Sequence, residues 1–240
     1  MGGAAVDKPV VSDLTVAAQA YLKLLYTAGE WSEAPVTVGL LADRLGLSMS
    51  TVSEGIAKLA RRDLVTHAKY SSVSLTPNGR LYALVMVRRH RLLETFLVQT
   101  LGYTWDEIHD EAAKLEHAAS EHLIATMDEL LEHPSADPHG DPIPTADGQM
   151  RRPGASQLTA AQPGQNAVIC RVSDADPKLL RYFSALGLTP GTELTIRERK
   201  PFAAGTTFHV TRSGQDITLG TEATDAVWVV PASSGDSASG

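Results

Sequence analysis

The stretch 40–53, Leu-Leu-Ala-Asp-Arg-Leu-Gly-Leu-Ser-Met-Ser-Thr-Val-Ser, leaves the backbone few choices. Leu41 and Leu45 fall one helical turn apart, in a short helix over 37–45. Gly46 can take the left-handed conformation that stops that helix, and Ser48 can cap the next by accepting from a first-turn amide. Val52, Ile56 and Leu59 extend an apolar face to about Arg62. Two short helices joined this way share one core at a fixed angle, the helix-turn-helix arrangement. Ahead of them, Leu14, Ala18, Tyr21, Leu22 and Leu25 recur at helical spacing until Gly29. Behind them, 64–76 reads as a hairpin: Val65, His67 and Lys69 alternate with Thr66 and Ala68, Tyr70, Ser71 and Ser72 turn the chain, and Val73 and Leu75 share a face. Three helices and a hairpin make a winged helix-turn-helix pattern.

Charge points to what such a head could meet. Residues 44–91 hold nine basic side chains against two acidic ones, although the whole chain carries −7. Ser48, Ser50, Thr51 and Ser53 open the third helix, where small hydroxyls allow close approach to a major groove. Lys58, Arg61, Arg62 and the wing residue Lys69 would contact phosphates, positioning the protein without reading bases. The same fold can also serve protein contact, a use that the local basic surplus disfavours.

Residues 92–147 invert the charge, with thirteen acidic residues against Lys114 alone, and six of the eight histidines lie between 90 and 139. Thr76-Pro77 starts a helix that can run to Leu101 with Gly102 behind it. Thr104-Trp105-Asp106-Glu107 reads as a capping box opening a second long helix to about His133. Both carry apolar faces (Leu92, Leu93, Phe96 and Leu97; Ile108, Leu115, Leu123, Met127 and Leu130) that need a partner, and a second copy of the chain is the simplest one. His90 and Glu94 share a face of the first, and His109, Ala113, Glu116 and His117 form a stripe on the second. Imidazole and carboxylate converging from two helices suit a divalent metal. His122 and His133 fall off the stripe and read as solvated.

Periodicity disappears over 134–165, where Pro, Gly, Ser, Ala and Asp dominate and a linker is expected. Strands then fit 167–172, 193–199, 207–211, 217–219 and 226–230, with one helix over 177–186 ended by Gly187, the pattern of a small SH3-like barrel. The expected organisation is a winged helix-turn-helix DNA-binding domain over 1–78, a helical dimerisation and metal-binding domain over 79–150, a linker over 151–164 and the barrel over 165–232. The fold class is mainly α with a smaller β portion.

Several functions are disfavoured. The apolar run 81–87 is far short of the roughly 20 residues that cross a bilayer. The first residues show no basic region followed by an apolar stretch, so a cytoplasmic protein without a membrane partner is expected. Cys170 is the single cysteine, which excludes an internal disulfide or a cysteine-cluster zinc site. No HExxH, Gly-rich phosphate loop or nucleophile motif points to an enzyme or a small-molecule substrate.

Residues 89–94 (Arg-His-Arg-Leu-Leu-Glu), 109–117 (His-Asp-Glu-Ala-Ala-Lys-Leu-Glu-His) and 137–144 (Asp-Pro-His-Gly-Asp-Pro-Ile-Pro) resemble the metal-binding core of the diphtheria toxin repressor family, and outside the metal site the chain is more similar to the manganese-type members. The resemblance implies a homodimer that binds operator DNA when loaded with manganese(II) or iron(II), other divalent ions substituting in vitro, and a barrel of the FeoA type. It places His90, Glu94 and His109 in an ancillary site completed by a barrel residue, Asp176 first and Asp174 second. It places Glu116 and His117 in half of a regulatory site. The other half falls on Ala20 and Ala113, and a methyl group cannot bind a metal. A metal-independent winged-helix regulator with a vestigial site is the alternative that these two alanines leave open.

Overall fold

The computed structural model describes residues 11–67, 72–200 and 205–232, which fall into two compact units. The first comprises residues up to 93, 112–135 and 143–150, and the second 94–111, 136–142 and 151 onward.

The first unit opens with α1 (Val16–Ala28), α2 (Val38–Leu45) and α3 (Met49–Arg61). Each start is capped by the hydroxyl before it: Thr15, Thr37 and Ser48 accept from the amides of Ala18, Leu40 and Thr51 at 3.2–3.3 Å. Gly46, at φ +64°, ends α2 as anticipated. Leu22, Leu41, Val52, Ile56 and Leu59 are buried together and set the angle between the helices. Gly55 lets α1 come close, since a Cβ there would lie 2.3 Å from the Tyr21 ring. The hairpin follows as β1 (Val65–His67) and β2 (Val73–Leu75), paired antiparallel. The expected wing residues Lys69, Tyr70 and Ser71 lie outside the described residues.

Thr76 accepts from the Gly79 amide at 3.0 Å and starts α4 (Pro77–Leu101), a continuous helix of 25 residues. The second long helix expected over 104–133 is instead two helices, α5 (Ile108–Leu115) and α6 (Glu121–Leu130). Thr104 and Glu107 do bond, at 2.7 Å, but one turn ahead of α5. The break between α5 and α6 has two causes. Ser120 caps α6 by accepting from Leu123 N at 3.1 Å. Buried Arg89 donates to the Glu116 and Ala119 carbonyls at 3.2 and 2.9 Å, so the interrupted backbone keeps its partners.

The second unit is built on an antiparallel sheet of order β3-β8-β4-β5-β6-β7. Its strands are β3 (Ser156–Gln157), β4 (Asn166–Val172), β5 (Glu193–Lys200), β6 (Gly205–Val210), β7 (Gln215–Gly220) and β8 (Val227–Pro231). Five match the expected strands to within a few residues; β3 and the short α8 (Thr221–Asp225) do not announce themselves in the pattern. Irregularities in β4 and β5, at Ile169/Arg171 and Ile196/Glu198, bend the sheet. It closes over Ile169, Val172, Phe183, Leu194 and Phe208, with Phe183 supplied by α7 (Pro177–Ala185).

The linker expected across 134–165 is ordered at its start. Residues 136–142 form a tight loop fastened to β4. Val172 N donates to the His139 carbonyl at 2.9 Å, and Arg171 Nε to Asp141 Oδ1 at 2.7 Å. Asp137 Oδ1 accepts from the amides of His139 and Asp141, both at 2.9 Å. Gly140 sits at φ +90°, where a Cβ would fall 1.9 Å from the Cys170 carbonyl oxygen, so neither the angle nor the space admits a side chain. Composition reads as a linker here because loop-forming residues also build tight Asx turns.

Candidate metal centre and nucleic-acid interface

In the second unit, four ligand-type side chains meet. Glu94 is buried on α4, and His109 stands at the start of α5 with Nδ1 3.3 Å from Glu94 Oε1 and 3.5 Å from Asp174 Oδ2. Glu94, His139 and Asp174 each bring one ligand atom within 4.8 Å of the others. Asp176, the barrel carboxylate favoured from sequence, is elsewhere: it caps α7, accepting from Lys178 N at 2.8 Å. Asp174, the second choice, stands beside His109, because Asp-Pro at 176–177 is spent on starting a helix.

His139 was quoted in a motif but not chosen as a ligand. Its ring is fully buried and stacked on Trp105, with centroids 5.7 Å apart. Nε2 lies 2.7 Å from the Trp105 carbonyl, which only accepts, so Nε2 carries the proton. Nδ1 is buried and, among the described residues, meets no hydrogen-bond partner. Burial pushes this imidazole's pKa down, but the Asp137, Glu94 and Asp174 carboxylates outweigh it and the pKa is raised. The carboxylates thus attract positive charge to Nδ1, and a divalent ion competes with a proton for that place. The donor set fits a metal: two imidazoles, two carboxylates and one ring held in its tautomer from behind.

A second cluster lies in the first unit. Glu116, with its side chain 1% exposed, accepts from Lys23 Nζ at 2.7 Å, and its Oε2 is 2.6 Å from His90 Nδ1. His90 stands one turn ahead of Glu94 on α4. His117 Nε2 lies 3.4 Å from Glu116 Oε1, and its Nδ1 lies 2.7 Å from Gln19 Oε1. Gln19 donates its amide to the Val11 and Leu14 carbonyls at 3.0 and 3.1 Å, which turns its oxygen toward His117. Burial pushes the Glu116 pKa up, but the His90 hydrogen bond and the Lys23 charge outweigh it and the pKa is lowered. Burial, aided by Lys23, Arg89 and His90 against Glu116, lowers that of His117. Lys23 was not singled out from sequence; its one signal is that it follows Gln19 by four residues and so shares its face of α1.

On the candidate nucleic-acid face, Ser48, Ser50, Thr51, Ser53, Lys58, Arg61 and Arg62 are all exposed along α3. Lys58 pairs with Glu54 at 2.7 Å on the helix surface, and Arg62 donates to the Asp13 carbonyl at 3.1 Å. The basic surplus of 44–91 is not all available to a polyanion. Arg91 is held at 3.2 Å by buried Glu30, Arg88 by Asp128 at 2.8 Å and the Pro144 carbonyl at 2.7 Å, and Arg89 by the α5–α6 break. No helix of the described residues is long and apolar enough to cross a membrane.

Two family models of the iron dependent repressors match over half of the chain, the N-terminal DNA binding domain over 13–73 and the metal binding and dimerisation domain over 76–145, and a FeoA domain model matches 156–231. The chain belongs to the diphtheria toxin repressor family of iron- and manganese-dependent transcriptional repressors. It is 31% identical to the iron-dependent repressor IdeR of Mycobacterium leprae, over 91% of this chain and 99% of that one. It is 33% identical to the diphtheria toxin repressor of Corynebacterium diphtheriae over 66% and 68% of the two chains. Among solved structures it is similar to a manganese-dependent transcriptional repressor in complex with manganese, with 50% identity, a TM-score of 0.85 and coverage of 90% and 100%. The repressor ScaR with bound Zn2+ follows at 32% identity and a TM-score of 0.75, with 90% and 99% covered.

Proposed function

We propose that this repressor is a cytoplasmic homodimer that grips double-stranded operator DNA through α3 and the β1–β2 wing, under control of manganese(II) or iron(II), and turns over no substrate. Glu94, His109, His139 and Asp174 are its metal ligands. The observation that carries this reading is His139, a fully buried ring with a ligand atom within 4.8 Å of two carboxylates, whose Nε2 is committed to Trp105 and whose Nδ1 meets no hydrogen-bond partner among the described residues. Imidazole and carboxylate donors without thiolate suit manganese(II) and iron(II), and the manganese-bound relative at 50% identity favours manganese.

When bound, the ion supplies the positive charge that lets the Glu94 and Asp174 carboxylates face one another. The four ligands come from α4, the start of α5, the loop 136–142 and the segment before α7. Their convergence is therefore one arrangement of the chain among several, and sharing an ion favours it. A DNA-competent dimer that needs the same arrangement is favoured with it; couplings of about 1–3 kcal/mol are typical.

The test selects a binding site from random duplexes with the manganese-loaded protein, then follows fluorescence anisotropy of that duplex as manganese is added or chelated. Binding is expected to require manganese, and His139→Ala to lose its response to manganese. Binding undiminished by chelator refutes the reading.

A further inference from the structure

The regulatory half of the family's metal chemistry does not fit this chain. The first-unit cluster holds a carboxylate and two imidazoles, but α1 contributes a cation to it. Lys23 Nζ lies 2.7 Å from Glu116 Oε2 and 3.2 Å from His90 Nδ1, with the lysine side chain 15% exposed. An ammonium has three donors and no lone pair, so it can bond Glu116 but can ligate nothing. A divalent ion on the same carboxylate would stand within a few ångströms of that like charge in a nearly dry site. The positions that could add ligands, Ala20 and Ala113, carry methyl groups.

We infer that Lys23 is a built-in cation standing where a second metal ion would bind, so that the repressor takes up one divalent ion per chain, at the Glu94 centre. Lys23 ties α1 to the turn after α5 through Glu116, a tie made without metal. The stoichiometry of one rests on the proposed Glu94 centre; the exclusion of an ion at Glu116 stands apart from it.

The test is the number of manganese ions per chain, measured on the full-length protein by isothermal titration and by metal analysis after desalting. One ion is expected in the wild type, one in Glu116→Gln and none in His139→Ala. Lys23→Glu, which replaces the ammonium by a carboxylate, is expected to bind two. Two ions in the wild type with one lost in Glu116→Gln overturns the inference and leaves the Glu94 centre standing. A count that stays at one in Lys23→Glu overturns the claim that the ammonium keeps the ion out. One ion in His139→Ala overturns the reading of the Glu94 centre, while Glu116→Gln still decides on Lys23. Because Glu116→Gln strands a lysine in a dry site, the Lys23→Met/Glu116→Gln double variant serves as a second arm. In metal-free protein it is expected to melt above Glu116→Gln alone. A double variant that melts below that single variant shows no pairing, and overturns the built-in tie.

Discussion

Removing the Arg89 guanidinium should unlock the junction between α5 and α6. In Arg89→Met the aliphatic stem survives, but the Glu116 and Ala119 carbonyls lose the donor that holds them at 3.2 and 2.9 Å. Each buried, unsatisfied carbonyl costs about 1–3 kcal/mol. Loss of the Glu121 contact adds little, because that carboxylate is 60% exposed. The sum is about 3 kcal/mol, on the order of 10 °C in melting temperature for a unit of this size. Thermal unfolding followed by circular dichroism measures the loss, and hydrogen-exchange mass spectrometry locates it. Exchange should rise across 116–121 and stay unchanged in β4 and β5. A loss under about 1 kcal/mol, or unchanged exchange at 116–121, would refute the reasoning, because it would mean that the carbonyls find other partners at no cost.

Gly140→Ala should displace the 136–142 loop, because φ is +90° there and the Cys170 carbonyl fills the space; manganese affinity is expected to fall about tenfold or more in isothermal titration. Asp174→Ala is expected to abolish manganese binding. Asp176→Ala should leave it intact and cost about 1 kcal/mol of stability through the lost α7 cap, read as a lower urea midpoint. Arg61→Ala should weaken operator binding about equally for all sequences and lower the slope of log K against log salt by about 1, measured by anisotropy across a salt series; a change in sequence preference instead would place Arg61 on bases.

Much of the architecture is legible residue by residue. Ser48 and Thr76 declare their helices through hydroxyl caps, Gly46 ends α2 in the left-handed conformation, and strand alternation finds five of the six strands of the large sheet. These signals are local, carried by residues a few positions apart. His90, Glu94, His109, Glu116 and His117 are legible as ligand types at helical spacing. Which cluster each one joins is not, because spacing along a helix says nothing about what faces it. The apolar period ran through residues 116–120, and nothing local announced that Arg89 would take up the carbonyls of a break.

By itself, the order of residues determined the winged head, the long α4, the strand-rich C-terminal part and the chemistry of the candidate ligands, since propensity, capping and periodicity act over a few residues. Tertiary structure alone decided that Asp174 rather than Asp176 stands beside His109, that the buried His139 ring joins the Glu94 and Asp174 carboxylates, and that Lys23 meets a carboxylate 93 residues away. Those outcomes depend on which segments pack together, and packing sets distances that no count along the chain contains.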